Sequence, residues 1–279
     1  MSTETLETVT QNSGSTVKAE VRFDDTPRPL VYVGASAYEW KAECHFFDSM
    51  VNAISLCRAQ IIKDWGVGDA AIGRKRNFQA HRFLTQTKAE FLFFIDSDIV
   101  FEPVHFDRIV AHNLPVVGGI YFKKSHKLDP CIEGKIGEED PVTHLMEVKS
   151  SGTGFLCIRR DVFEAIKEMM MKEDPDNFCY EGDPDTETRW DFFPFGARKR
   201  SYRSEDWYFC DLARRAGFKV YVDCSVQLGH IGKTVFPLIR MDHEDVVDLI
   251  HHKYDYPVET IKSFLLSAPD PAKFKEEKK

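Results

Sequence analysis

The sequence predicts an α/β fold in which a mixed, mainly parallel central sheet is flanked by helices. Apolar runs of strand length recur along the chain, and segments with apolar residues at helical spacing separate them. This alternation is typical of α/β sheets, because two parallel strands need a long connection that is usually helical. The five predicted strands are residues 30–36, 90–95, 115–122, 152–158 and 218–225.

The segments between these strands are predicted to be helices and one long loop. The predicted helices are residues 43–65, 70–87, 106–112, 161–171 and 204–216. Ser204 is a good N-cap for the last of them, and Gly217 is a good C-cap. Residues 123–149 are polar with few signals. Residues 172–203 form a loop rich in Asp, Pro, Gly and aromatic residues, and a loop this long is more often functional than idle.

Length and composition fit one large domain. The chain has 279 residues, of which 43% are hydrophobic. We place the domain at residues 28–240, after a Ser-, Thr- and Glu-rich tail at residues 1–27. Residues 241–279 are predicted to form C-terminal helices (242–252 and 257–266) and a charged tail. The formal net charge of -8 disfavours a general nucleic-acid binder, which needs Lys and Arg to contact phosphates.

The sequence predicts neither a membrane span nor a signal peptide. No run of 18 or more apolar residues exists, so no membrane span is predicted. The N-terminal segment has no apolar region typical of a signal peptide. The seven cysteines include no CxxC pair, which favours free thiols in a reducing compartment. We therefore expect a cytoplasmic protein.

Two carboxylates, Asp96 and Asp98, follow the most apolar strand in the segment FLFFIDSDIV at residues 91–100. Because residues i and i+2 of an extended chain point the same way, both can face one target. Ligands collect at the carboxyl ends of parallel strands, and two carboxylates there would repel each other without a cation. Mg²⁺ or Mn²⁺, completed by substrate phosphates, would resolve this repulsion. The alternative is an Asp-Ser-Asp turn with local hydrogen bonds.

The segment EFLFFIDSDIVFEP, residues 90–103, resembles the DxD segment of GT-A fold glycosyltransferases. The resemblance extends over residues 30–231 and includes the order of the motifs. These are a first strand ending in small residues, an Arg- and Asn-bearing helix, an apolar strand with DxD, a glycine-entered strand, a Glu-Asp helix start and a late His. The chain is similar to small members of viral or phage type, which implies the host cytoplasm. The resemblance also implies a nucleotide-sugar donor, a UDP-sugar by its frequency in the family, and Mn²⁺ or Mg²⁺ as cofactor.

A set of donor-binding residues follows from the same resemblance. Arg74 or Arg76 and Asn77 would face the nucleotide, since Arg suits phosphate and Asn suits the amide-like edge of a base. Gly152 and Gly154 would line the pocket of the donor sugar and acceptor. The alternatives are ordinary glycine-rich turns and a solvated basic face. The complete donor-binding set is Gly34, Ala35, Ser36, Arg74, Arg76, Asn77, Asp96, Ser97, Gly152 and Gly154.

Catalytic and further metal-binding roles are implied for Glu205, Asp206 and His230. Acidic residues in the first turn of a helix are stabilising in themselves. The family, however, has a general base at such a helix start in inverting members, and Asp206 is the preferred base here, with Glu205 contacting acceptor or sugar. His230 would complete the metal site with Asp96 and Asp98, since imidazole suits Mn²⁺ better than Mg²⁺. A hydrogen-bonded structural histidine is the alternative.

These residues together predict a metal-dependent glycosyltransferase acting on an acceptor hydroxyl. The acceptor could be a glycan, a protein, a small molecule or a modified DNA base. The basic-aromatic segment RWDFFPFGARKRSYR, residues 189–203, could cover the donor, hold the acceptor or contact nucleic acid. Two other functions stay open. One is a nucleotidyltransferase of a related α/β fold, and the other is a non-catalytic glycan- or partner-binding domain with the same fold.

Overall fold

The computed structural model describes residues 28–37, 41–124, 129–181, 188–198, 201–232 and 235–236. The predicted tail at residues 1–27 and the predicted C-terminal helices and charged tail lie outside these residues, as does the domain boundary at residue 240. No helix of the described ranges is long and apolar enough to cross a membrane. All seven cysteines lie within these ranges and are free thiols.

The described residues form fifteen strands, β1–β15, and six helices, α1–α6, numbered in chain order. The strands are Leu30–Ala37, Gln60–Val67, Phe91–Asp96, Ile99–Val100, Val116–Ile120, Ile132–Lys135, Leu145–Ser151, Phe155–Arg159, Cys179–Glu181, Thr188–Trp190, Gly196–Arg198, Ser201–Arg203, Val220–Gln227, Gly229–Ile231 and Val235–Phe236. The helices are Cys44–Leu56, Ile72–Gln86, Pro103–Ala111, Arg160–Glu173, Pro175–Phe178 and Glu205–Arg215.

The central sheet has eight strands in the order β2-β1-β3-β8-β5-β13-β7-β6. Strands β1, β2 and β3 are parallel, β5 and β13 are parallel, and only β7 and β8 run against the direction of the other strands. The predicted α/β class, with a mixed and mainly parallel sheet flanked by helices, is confirmed. The predicted long loop contains α5 and two small hairpins, β9–β10 and β11–β12.

Strand β3 is buried on both faces, which explains its unbroken apolar sequence. Leu92 and Phe94 belong to the hydrophobic cluster under α2, α4 and α6. Phe91, Phe93 and Ile95 belong to the cluster under α1 and α3. Strands buried on both faces are typical of the middle of such a sheet. This burial fixes the place at which the two carboxylates after β3 emerge.

Two of the predicted segments are wrong in part. The predicted helix at residues 43–65 ends at Leu56, and the residues after it form the edge strand β2, which pairs with β1. The predicted helix extends too far because Ile61 continues the apolar spacing of α1. In the structure Ile61 packs against the core as a residue of β2. The polar residues 123–149 contain β6 and most of β7, whose inward residues such as Val148 alternate with charged ones.

A second sheet, in the order β15-β14-β4, ties His230 to the turn after β3. His230 pairs with Ile99 across this sheet. The N–H of Ile231 donates to the carbonyl of Asp98 at 2.8 Å. Backbone pairing alone therefore brings the late histidine to the DxD turn.

Candidate functional site

The carboxyl ends of β1 and β3 open into a cavity of about 280 Å³. Ser36 of β1 lies directly beside Asp96 of β3 in the sheet, and Ser97 and Asp98 follow in the turn. The start of α2 forms another wall. The lining residues are Ser36, Asp69, Ala70, Ile72, Lys75, Asp96, Ser97 and Asp98. Four of the residues predicted to bind donor or metal therefore share one cavity.

Arg76 is buried between two carboxylates and has only 3% of its side chain exposed. Its Nη2 donates to Asp96 Oδ1 at 2.9 Å, and its Nη1 forms an ion pair with Glu205 Oε1. Burial opposes the charge, but Asp96, Glu205 and Asp206 more than offset it, so the pKa of the guanidinium lies above its ordinary value. Arg76 therefore joins β3 to the start of α6, and a contact of Arg76 with the nucleotide stays a prediction.

The two acidic residues at the start of α6 have different partners. Burial raises the pKa of the Glu205 carboxyl; Arg76 opposes this shift and Asp206 adds to it. The Oδ1 atom of Asp206 accepts hydrogen bonds from the Ser204 hydroxyl and from the Trp207 N–H, the latter at 2.7 Å. Its other oxygen accepts no hydrogen bond within the described ranges. Glu205 is thus held by a cation, whereas the carboxylate of Asp206 has hydrogen-bond partners among the described residues on one oxygen only.

Asp98 and His230 form the part of the site best suited to a metal ion. His230 Nδ1 donates to the carbonyl of Phe122 at 2.7 Å, and Nε2 lies 3.6 Å from Asp98 Oδ1. That oxygen is buried and has no hydrogen-bond partner among the residues described. A carbonyl behind the ring is a usual partner of a metal-ligating histidine. Both atoms therefore fit a divalent cation.

The third predicted metal ligand, Asp96, faces Arg76. In the described part of the chain, no group of three or more His, Cys, Asp or Glu residues is placed to enclose a metal ion. Lys124 also forms an ion pair with Asp98. Burial alone would raise the pKa of Asp98, but His230 and Lys124 more than offset it and the pKa lies below its usual value. One or two protein ligands are enough for an ion that keeps waters and substrate phosphates.

Gly152 and Gly154 make room for Tyr121, and their predicted place in the pocket of the donor sugar and acceptor stays a prediction. A Cβ atom at Gly152 would lie 2.2 Å from Tyr121 Oη, and one at Gly154 would lie 2.7 Å from it. The Gly154 N–H donates to the same oxygen at 2.8 Å. Gly34 similarly accommodates Gln79 of α2, whose Oε1 would lie 3.2 Å from a Cβ there. These glycines mark close approaches, but the approaching groups belong to the protein.

Replacing Gly152 with alanine is expected to destabilise the protein by about 1–3 kcal/mol, because the added methyl overlaps the Tyr121 hydroxyl. In a Tyr121→Phe background the same change should cost less, since the nearest remaining ring atom is Cζ at 3.1 Å. Urea unfolding of the two single variants and the double variant measures this coupling. Equal costs in the two backgrounds would show that the hydroxyl is not what Gly152 accommodates.

Asn77, predicted to face the nucleotide, uses both ends of its amide within the protein, and its contact with a base stays a prediction. Its Nδ2 donates to Asp191 Oδ1 at 2.6 Å, and its Oδ1 accepts from the Phe193 N–H at 3.0 Å. The buried amide therefore fixes the segment between β10 and β11. The side chain of Arg74 is 65% exposed and forms an ion pair with Asp69. It takes no part in the ion pairs of Arg76 with Asp96 and Glu205.

Some of the remaining predicted residues line the cavity, and others are buried or paired within the protein. Ala35 is buried, and its carbonyl accepts a hydrogen bond from Gln79 at 3.3 Å, so Ser36 is the first-strand residue that lines the cavity. In the basic-aromatic segment, Arg203 forms ion pairs with two carboxylates. Residues 199–200 of that segment lie outside the described residues.

Three residues of the site were not predicted: Lys75, Tyr121 and Lys124. Tyr121 and Lys124 follow β5, whose carboxyl end lies at the same edge of the sheet as that of β3. The rule that ligands collect at this edge could have identified them. Lys75 stands between two arginines that were considered, but the sequence does not tell which of the three faces the cavity.

No protein-family profile matches the sequence, and no curated protein is significantly similar to it. Among solved structures, the chain is similar to A197 from STIV, with 17% identity, a TM-score of 0.45 and coverage of 74% of this chain and 86% of that one. It is also similar to a glycosyltransferase involved in the glycosylation of the major capsid of PBCV-1. That similarity has 11% identity, a TM-score of 0.30 and coverage of 56% of this chain and 72% of the other. At this level, neither similarity establishes a family or an activity.

Proposed function

We propose that this chain is a metal-dependent glycosyltransferase of the GT-A type, which moves a sugar from a nucleotide-sugar donor to an acceptor hydroxyl. One observation carries the proposal. His230 meets Asp98 in the turn after β3, and Arg76 links Asp96 of the same strand end to Glu205 at the start of α6. These groups come from distant segments, in the order by which the sequence resembles that family. A turn that merely ended β3 would need none of these partners.

The metal would be held by Asp98 and His230, together with Asp96. Mn²⁺ or Mg²⁺, when bound, would neutralise the charge that develops on the nucleoside-diphosphate leaving group. Ser36 and Ser97 line the same cavity and would contact the nucleotide. A UDP-sugar is the proposed donor, on the family resemblance alone.

Asp206 is the proposed general base. Its available oxygen would take the proton from the acceptor hydroxyl as that hydroxyl attacks the anomeric carbon of the donor sugar. Glu205 would contact the acceptor or the sugar, held in place by Arg76. This division of roles follows from the different partners of the two carboxylates.

The proposed acceptor is a glycan, a protein, a small molecule or a modified DNA base. The two ion pairs of Arg203 and the formal net charge of -8 weaken the case for DNA. Free cysteines favour a reducing location, and we place the protein in the cytoplasm, which is the host cytoplasm if the protein is viral.

Thermal unfolding with UDP, GDP, CDP and their sugars, with and without Mn²⁺, tests the donor site. A ligand that binds only the folded state stabilises it by about 2.7 kcal/mol at a hundredfold excess over its Kd. We expect one nucleotide to raise the Tm and Mn²⁺ to increase that shift. The Asp98→Asn variant should lose the part of the shift that depends on Mn²⁺.

The matched control is Asp161→Asn, which removes the charge of a half-exposed aspartate in the first turn of α4 that pairs with Arg159. This variant should keep every shift of the wild type. If no nucleotide changes the Tm of folded wild-type protein in the presence of Mn²⁺, the Asp-Ser-Asp segment is a structural turn. The non-catalytic binding domain then becomes the better hypothesis.

A further inference from the structure

Lys75 is a buried cation without a partner in the described part of the chain. Only 5% of the residue is exposed, and its ammonium makes no hydrogen bond or ion pair with the described residues. Its neighbours Arg74 and Arg76 are both paired with carboxylates. Burial lowers the pKa of Lys75, and the more distant charges of Asp69 and Asp96 do not fully offset this. The ammonium is not among the fully buried polar atoms, and the residue lines two cavities, so its charge is directed into space that an anion can occupy.

The aliphatic part of Lys75 packs closely over Gly66 of β2. A Cβ atom at Gly66 would lie 2.8 Å from both Cγ and Cδ of the lysine. Glycine within a strand often marks such a close approach. The side chain consequently borders two cavities at once: the 280 Å³ cavity that contains Asp96 and Asp98, and a larger one of about 680 Å³.

The larger cavity lies between the end of β2, α2 and the β9–β10 hairpin. Its walls carry the rings of Trp65, Phe78 and Tyr180, and the guanidinium of Arg189 lies 4.7 Å from the centre of the Phe78 ring. Its two aspartates are each paired with an arginine. Arg74, Lys75, Arg82, Glu181 and Arg189 also line it. A concave space of this size, with aromatic walls for a base and charged and polar side chains between them, is suited to a small polar organic ligand such as a nucleoside.

The first turn of α2 also favours an anion in the smaller cavity. This turn contains no acidic residue, and the N-cap residue Ala71 provides no side-chain hydrogen bond. The positive end of the helix dipole attracts negative groups such as phosphate. Ala70 and Ile72 border the cavity together with Lys75.

We infer that Lys75 binds a phosphate group of a nucleoside diphosphate directly, with the nucleoside in the 680 Å³ cavity and the phosphates in the cavity of Asp96 and Asp98. The identity of this ligand rests on the proposed function, but the contact itself requires no metal. The protein therefore binds a diphosphate in the absence of a divalent cation. A metal held by Asp98 adds to this binding.

Calorimetric titration with inorganic pyrophosphate in EDTA tests the contact. We expect the wild type to bind, Lys75→Met and Lys75→Gln to bind at least tenfold more weakly, and Asp98→Asn to bind at least as tightly as the wild type. Lys219→Met is the matched control, because it removes an exposed lysine that pairs with Glu147. It should bind like the wild type. Without ligand, Lys75→Met should have a Tm no lower than that of the wild type, since the ammonium makes no ion pair or hydrogen bond with the described residues and methionine keeps most of the aliphatic packing.

A wild-type protein that does not bind pyrophosphate in EDTA would overturn the inference, as would Lys75 variants that bind it equally well. If binding depends on Lys75 but no nucleotide raises the Tm with Mn²⁺, the anion contact stands and the glycosyltransferase proposal fails. If Mn²⁺-dependent nucleotide binding is found and the Lys75 variants match the wild type, only the role of Lys75 is refuted.

Discussion

Replacing Arg76 with methionine is expected to lower the free energy of unfolding by about 3–5 kcal/mol. The guanidinium is buried between Asp96 and Glu205, and both carboxylates depend on it for compensation of their charge. Removing one partner of a buried ion pair leaves the other charge uncompensated, which costs far more than the loss of an exposed pair. Urea unfolding at neutral pH, followed by circular dichroism, measures the difference.

Arg74→Met is the matched control for this prediction. Arg74 stands two positions earlier on the same helix, but its ion pair with Asp69 is largely exposed, so its loss should cost no more than about 1 kcal/mol. Combining Arg76→Met with Glu205→Gln should recover part of the lost stability, because one of the two uncompensated charges is then removed. Similar costs for Arg76→Met and Arg74→Met would show that the buried bridge is not formed.

The part of the site that follows β3 could be predicted from the sequence because its determinants are local. A strand buried on both faces must be apolar throughout, so the run at residues 91–95 identifies both the strand and its end. The strand ends at Asp96, and Asp98 follows in a turn and not in the extended chain that the i and i+2 prediction assumed, but both carboxylates line one cavity. The resemblance in motif order adds His230, which the structure brings to within 3.6 Å of Asp98.

The roles of the charged residues on α2 could not be predicted in the same way. Successive helical residues point about 100° apart, so Arg74, Lys75 and Arg76 face three different directions. The sequence shows three cations but not the rotation of the helix about its axis. That rotation is set by packing against the sheet, which turns Arg76 inward and Arg74 outward.

The glycines of the site illustrate a second limit of the sequence. Gly152 and Gly154 correctly indicate that some group comes close to the backbone. The identity of the group depends on a contact with β5, whose following residue Tyr121 fills the space. A ligand and a tyrosine impose the same requirement on the glycine, so the motif alone cannot distinguish them.

Replacing Asp206 with asparagine is expected to lower kcat by about 10²–10⁴-fold, the usual contribution of a general base. Donor binding should be unchanged, because Asp206 lies in α6 and does not line the cavity at the end of β3. Steady-state release of the nucleoside diphosphate, together with the Mn²⁺-dependent thermal shift, separates the two effects. Circular dichroism of the variant checks that α6 remains folded after the change in its first turn.

Glu205→Gln is the informative comparison, because it removes the neighbouring carboxylate while keeping its size. Glu205 is held by Arg76, so this variant should alter stability and the KM for the acceptor more than kcat. One oxygen of Asp206 accepts no hydrogen bond from a described residue, so the Asp206→Asn variant should lower kcat without changing stability or KM. A larger loss of kcat in Glu205→Gln than in Asp206→Asn would show that the roles assigned to the two residues must be reversed. The buried carboxylate with the raised pKa would then be the base, and Arg76 would be the residue that orients it.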